Sequence, residues 1–245
     1  MVSKNQTRLI RSLDQKKYRN KYGLFVAEGL KVIEELLKSS IKPKVLYTTQ
    51  SDLYTKVTCE VCVITEKELQ SISFLSTPNT VLGLFEIPVP EKPLPQGLQV
   101  ALDSVRDPGN LGTIIRLCDW FGVNHLICSL DTVDCYNPKV VQATMGSLSR
   151  VQVQYTSLES YLSSSSIPVF SAVMEGANVY TASLPHEGII VMGNESNGIS
   201  PEIAGLCDHQ LTIPRFGDMK QTESLNVAMA TAILLSEFRR GTIQK

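Results

Sequence analysis

No stretch of this sequence approaches the roughly 20 consecutive apolar residues that span a bilayer. The opening MVSKNQTRLIRSL is basic and lacks the apolar core of a secretory signal, so the expectation is a cytoplasmic protein with no membrane association. Charge of one sign is not in excess either. The chain has 23 basic and 24 acidic residues, and charged residues make up only 19% of it, which excludes a disordered polyelectrolyte. Histidine is scarce, with three residues, and the six cysteines follow no framework spacing. Cys59-x-x-Cys62 stands without a second pair, so no metal site is expected and the thiols read as reduced.

What the chain does have is an uneven placement of charge. Residues 1–44 carry eleven Lys or Arg against four acids, whereas residues 96–245 carry nine against fourteen. A basic end on an otherwise mildly acidic chain suits the docking of a polyanion, although a solvated helix face explains the same charges equally well.

Hydrophobic periodicity divides the chain in two. GLFVA (23–27), KVLYT (44–48), VCVIT (61–65) and VLGLFEI (81–87) read as strands. EGLKVIEELLKSS (28–40) reads as an amphipathic helix with Leu30, Ile33, Leu36 and Leu37 on one face, and a second helix is expected near 66–72. PVPEKPLPQG (88–97), with four prolines, is a stiff linker between a domain over 1–87 and another over 98–245. Past it, LQVALD, VNHLICS, IPVFSAV, GIIVMG and HQLTIP read as buried strands. They alternate with helices over 111–122, from Asn137-Pro138, from Ser200-Pro201 and over 224–241. Such alternation argues an α/β fold, a mostly parallel sheet with helices on both faces.

DPGNLGTIIR (107–116) invites comparison with a phosphate cradle. It fits neither G-x-G-x-x-G nor G-x-x-x-x-G-K-[ST], which weakens any nucleotide-dependent oxidoreductase reading. What remains is a strand ending at Asp103, a Pro-Gly turn, Asn110, and a helix carrying Arg116 among Ile114, Ile115 and Leu117. VMGNESNGIS (191–200) places Glu195 at the carboxyl end of a buried strand, where open α/β sheets bind ligands. There Gly193 would let a ligand approach the backbone. IPRFGDMKQTESLNVAMA (213–230) ends a strand at Ile213-Pro214 and opens the last helix with Ser224, Leu225 and Asn226. Ser224 or Thr222 suits an N-cap. Asn226, on the apolar stripe of Leu225, Ala228, Met229, Ala232 and Leu235, needs a fixed partner. Trp120 reads as core at the end of its helix, with base stacking as the alternative.

Together, NLGTIIR, GNESNGIS and IP…ESLNVAMATAI resemble the three ordered motifs of the SpoU family of RNA 2′-O-ribose methyltransferases, within the SPOUT superfamily. RLIRSLDQKKYRNKYGLFVAEGLKVIEELL resembles the small RNA-binding domain that precedes the catalytic domain in many members. The resemblance implies a small N-terminal α/β RNA-binding domain, then a SPOUT parallel-sheet domain with a C-terminal trefoil knot. It implies S-adenosyl-L-methionine held largely by backbone at Gly193, Ile213 and Leu225, with Met192, Asn194 and Thr144 nearby. Asn110, Arg116, Glu195, Ser224 and Asn226 match the family's catalytic positions, Arg116 being its proposed activator of the ribose hydroxyl. Phosphate contacts would come from Arg8, Arg11, Lys16, Lys17, Arg19 and Lys21, and the family works as a homodimer with the site close to the interface. The substrate implied is RNA, ribosomal before transfer; a noncatalytic RNA-binding or ribosome-assembly protein that keeps the knot is the alternative. The 215–223 loop is a few residues longer than the compact family version.

Overall fold

The computed structural model describes residues 1–89, 97–217 and 224–240. The proline-rich linker and the 215–223 loop therefore lie largely outside the described residues, as does Thr222. In chain order the elements up to the linker are α1 (Lys4–Ser12), α2 (Lys16–Tyr22), β1 (Leu24–Glu28), α3 (Leu30–Leu37), β2 (Pro43–Thr48), β3 (Glu60–Val63), α4 (Glu66–Ile72) and β4 (Val81–Glu86). There follow β5 (Leu98–Leu102), α5 (Pro108–Trp120), β6 (His125–Cys128), α6 (Pro138–Thr144), a 3-10 turn at Ser147–Ser149, β7 (Gln152–Tyr155) and α7 (Leu158–Ser163). The last are β8 (Val169–Asn178), β9 (Gly188–Met192), α8 (Pro201–Ala204), β10 (His209–Thr212) and α9 (Val227–Arg240).

Two compact units result. The first is built from residues 1–89 together with 134–150, so α6 and the 3-10 turn leave their sequence neighbours to complete it. Its four-stranded sheet has the order β1-β4-β2-β3 and is mixed, with β1 and β2 antiparallel to β4 and β3 parallel to β2. Alternation sorts the side chains. Val26, Tyr47, Leu82 and Leu84 join Ile10 and Leu13 from the first helix and Leu69 and Ile72 of α4 in one core layer. Phe25 points the other way, against Phe85 and Tyr136, with ring centroids 5.8 Å and 4.9 Å away. Leu30, expected on the buried face of α3, is 39% exposed; Val32, Ile33 and Leu36 carry that face.

The first unit also corrects one expected phosphate contact. Arg19 is 2% exposed. Its Nε donates to Asp134 at 2.8 Å, its Nη2 pairs with the same carboxylate, and its Nη1 donates to the Leu13 and Asp14 carbonyls, each at 2.7 Å. A guanidinium so enclosed, with four of its five N–H donors engaged inside the protein, clamps α2 in place and is closed off from RNA by burial.

The second unit is a six-stranded parallel sheet of order β10-β8-β9-β5-β6-β7. Central strands β5 and β9 are buried at every position, as a sheet covered on both faces requires. Ala101, Ile127, Ile189 and Val191 meet Leu158 and Leu162 of α7 and Ile203 of α8. Phe170 faces the other side, edge-on to Phe238 of α9 at 5.1 Å. Trp120, expected in the core, is 84% exposed, because it closes α5 on the side turned from the sheet.

Candidate active site

The carboxyl ends of β5 and β9 lie side by side, with Leu102 paired to Met192. The chain leaves β5 at Asp103, whose N–H donates to the Met192 carbonyl at 2.9 Å. The Asp103 carboxylate accepts from the N–H (2.7 Å) and hydroxyl (2.8 Å) of Ser200, which ties the end of the loop after β9 back to the β5 strand end. Ser104 follows with φ at 60°, a left-handed conformation that costs a β-carbon-bearing residue about 1–3 kcal/mol. Three bonds hold it there. Its N–H donates to the Ser129 hydroxyl (2.9 Å), its own hydroxyl to Asp131 (2.6 Å), and its carbonyl accepts from the Asn194 amide (2.6 Å).

The loop after β9 closes on itself. Asn194 and Gly198 exchange both backbone hydrogen bonds, at 2.8 and 2.9 Å, and the Asn194 side-chain oxygen accepts from the N–H groups of Ser196 and Asn197. A β-carbon at Gly193 would lie 2.2 Å from the Gly198 carbonyl carbon and 2.3 Å from the Ile199 nitrogen. The protein's own backbone thus requires glycine at 193.

This loop presents Glu195 to the start of α5. Its carboxylate accepts from the N–H groups of Arg106 and Asp107, both at 3.3 Å, and from the Asn110 side-chain amide at 3.0 Å. Asp107 caps α5 by accepting from the Asn110 N–H (2.8 Å). Having donated to Glu195, Asn110 offers its side-chain oxygen to the amide of Asn226, 2.9 Å away. Asn226 then turns its own oxygen to the N–H groups of Ala228 (2.9 Å) and Met229 (3.3 Å), capping α9. An ionised carboxylate can only accept, so each amide in the series is forced into one orientation. Partial burial pushes the Glu195 carboxyl up, but donation from Asn110 and from the backbone of Glu195, Arg106 and Asp107 outweighs it and holds the group below the usual carboxylate range.

The series Glu195–Asn110–Asn226 brings together one residue from each sequence motif. Helices α5 and α9 are pinned in parallel, at their starts by Asn110 with Asn226. At their ends the Arg239 guanidinium donates to the carbonyls of Phe121 (2.8 Å) and Gly122 (2.9 Å). Arg116 stands apart from this network. It is exposed, makes no hydrogen bond or ion pair with any described residue, and lies six residues beyond Asn110, about 9 Å along the helix and on another face. Ser224 is exposed and makes no hydrogen bond with a described residue. Leu225, half exposed, precedes α9, and half-buried Ile213 follows β10. Leu225 and Met229, assigned from periodicity to the buried stripe of α9, are 50% and 58% exposed. Met192 is buried beside Asp103. Thr144 belongs to the first unit, where its buried hydroxyl donates to the Val141 carbonyl at 2.7 Å.

Sequence reasoning missed Asp103, Ser104, Asp107 and Asp131. Asp131 accepts from Ser104 and Ser129, which hold its carboxyl below the usual range, and pairs with Arg106 at 3.4 Å. Of the expected RNA contacts, Arg8, Lys16, Lys17 and Lys21 are exposed on the first unit. Arg11 is exposed but donates to the Ser71 and Ser73 carbonyls at 2.9 Å each.

Ile213 and Leu225 offer apolar groups after β10 and before α9, and Glu195 an anionic one after β9, a set of groups whose chemistry suits a cationic sulfonium attached to an adenosine. Among the described residues no cluster of three or more His, Cys, Asp or Glu could hold a metal, and no helix is long and apolar enough to cross a membrane.

Comparison with known proteins supplies the context. The SpoU rRNA Methylase family profile matches residues 97–236, and an MRM3-like substrate binding domain matches residues 4–83. The 23S rRNA (guanosine(2553)-2′-O)-methyltransferase of Bacillus subtilis is 31% identical over 239 residues, covering 94% of each chain. A solved TrmH-family structure from Porphyromonas gingivalis is 40% identical, with a TM-score of 0.89 over 98% of this chain and 99% of that one. An AdoMet-bound rRNA methyltransferase from Sinorhizobium meliloti is 32% identical, with a TM-score of 0.87 over 100% of this chain and 98% of that one.

Proposed function

The chain belongs to the SpoU rRNA methylase family, and from that premise we propose that this S-adenosylmethionine-dependent RNA methyltransferase acts on a ribose 2′-hydroxyl of ribosomal RNA. The observation that carries the reading is the hydrogen-bonded series Glu195–Asn110–Asn226, in which three distant motifs meet at the carboxyl end of one parallel sheet. The resemblance of relatives acting on ribosomal RNA over nearly their whole length supports that substrate over transfer RNA.

S-adenosylmethionine, when bound, supplies a methyl group already activated by its positive sulfur. The chain's task is to hold the hydroxyl in line and to ease the loss of its proton, and positioning alone can contribute up to about 7–11 kcal/mol. We assign cofactor contacts to Met192, Gly193, Asn194, Ile213 and Leu225, largely through backbone because the Asn194 side chain is consumed by the Ser104 carbonyl and by its own loop. Arg116 engages the RNA. A guanidinium holds its proton too tightly to serve as a base at neutral pH. It binds the phosphate beside the target ribose and offsets the negative charge growing on the oxygen. Its lack of an internal partner supports this role, since a cation already paired would have to be stripped first.

We assign catalysis to the domain over 98–245, in the trefoil knot typical of the family and with its residues 134–150 counted in the first compact unit, and RNA binding to the domain over 1–87. A second copy covers the exposed Trp120, Leu225 and Met229, so that the enzyme works as a homodimer.

The test is methyl transfer from radiolabelled S-adenosylmethionine to undermethylated ribosomal RNA, with the product mapped by resistance to alkaline cleavage. Arg116→Ala should bind S-adenosylhomocysteine as the parent does and lose turnover by at least about 100-fold. Full turnover in that variant, or label on a base, removes the assignment.

A further inference from the structure

Helix α2, KKYRNKY, has a built inner face and an unexplained outer one. Arg19, buried and bonded to Asp134, Leu13 and Asp14, fixes which side of the helix turns inward. At about 100° per residue, Lys17 and Lys21 then fall opposite Arg19, with Tyr18 and Tyr22 forming a second column beside them. The tyrosine rings are near-parallel, 14° apart, with centroids separated by 6.4 Å. Lys17 Nζ lies 4.8 Å from the Tyr18 ring centroid and Lys21 Nζ 5.4 Å from that of Tyr22. Tyr22 is 44% exposed, and neither tyrosine hydroxyl hydrogen-bonds to a described residue. Neither ring belongs to the core cluster beneath. Two aromatic rings with an ammonium at each, in the part of the chain that carries the net positive charge, match an unpaired nucleic-acid strand. Bases stack on aromatic faces whatever their identity, while lysines reach phosphates.

We propose that α2 is a stacking ledge for an unpaired stretch of the RNA substrate, with Tyr18 and Tyr22 receiving bases and Lys17 and Lys21 the adjoining phosphates. This rests on the RNA-methyltransferase reading above. On binding, each lysine swings from its ring to a phosphate, a short move for a four-carbon stem. The ledge therefore selects single-stranded over duplex RNA and does not read sequence.

The experiment titrates the full chain with a fluorescent twelve-nucleotide oligoadenylate, and with a duplex of equal length, between 50 and 200 mM salt. Tyr18→Ala/Tyr22→Ala should weaken binding of the single strand by about 10-fold or more at every salt concentration. The slope of log affinity against log salt should not change. Tyr18→Phe/Tyr22→Phe should restore binding, because the ring and not the hydroxyl is used. Lys17→Ala/Lys21→Ala should instead flatten the slope by about 1.4, roughly 0.7 for each lost phosphate contact. Unchanged single-strand affinity in the double alanine variant, an equal loss for duplex, or failure of the phenylalanine pair each overturns the ledge. S-adenosylhomocysteine binding, measured on every variant, confirms the fold. If the parent itself neither binds RNA nor transfers a methyl group, the underlying reading falls with the ledge; if only the tyrosine variants behave as the parent, the ledge alone falls.

Discussion

Asn110 has one side chain and two obligations, a carboxylate behind it and a helix cap ahead. Asn110→Asp keeps the shape and reverses the chemistry, since a second acceptor faces Glu195. We expect lost turnover and a raised apparent carboxyl pKa, read by titrating thermal stability against pH. Glu195 gives the sign of the ordinary pH response. Its carboxyl is held below the usual range, so its contribution is fully present above the unfolded value near about 4.3 and is lost as pH falls through the lower folded value. The gap in melting temperature between the parent and Glu195→Gln should be constant at neutral pH and narrow only in that acid window. Asn110, Glu195 and Asn226 were singled out by the three family motifs, with their place at a strand end and two helix starts as support, and the structure joins them by hydrogen bonds. Arg19 was misread for a physical reason: sequence counts a guanidinium as charge, but only the fold supplies Asp134, 115 positions away, to bury it. Arg19→Ala should cost about 3–5 kcal/mol, the penalty of leaving a largely buried acid unpaired and emptying the space the guanidinium fills, seen in denaturant melts.

At the scale of elements, α9 is held by its ends. Asn226→Ala removes a cap worth about 1 kcal/mol and also frees Asn110, so activity should fall by more than stability does. Arg239→Ala removes the clamp on the α5 carbonyls and should lower stability while leaving cofactor affinity near that of the parent, measured by calorimetry. The strands β5, β6, β8, β9 and β10 stood out as apolar runs. The helices α1 and α2 did not, because each is short and contributes few apolar residues; a capping box at Ser3 and Gln6 and the buried Arg19 hold them. Periodicity also misplaced Leu30, Leu225 and Met229, which complete a helical stripe on paper but face out once the helix has a fixed rotation.

For the whole molecule, the parallel sheet followed from alternating strands and helices, whereas the mixed sheet of the first unit did not, because strand direction is set by connections that hydrophobicity does not encode. Exposed apolar residues on α5 and α9 have a consequence for assembly. If the proposed homodimer forms through this face, Trp120→Glu should shift it to monomer in light scattering, and turnover should fall with it. Residues 134–150 carry a different consequence. They supply the acid that Arg19 needs and the Tyr136 ring that covers Phe25, yet the ribosome makes them only after the first three elements of the other unit. Vectorial synthesis thus cannot finish the two bodies in order: the leading one emerges with a bare aromatic face and an unmatched guanidinium, and waits for a later stretch of the nascent chain to return to it.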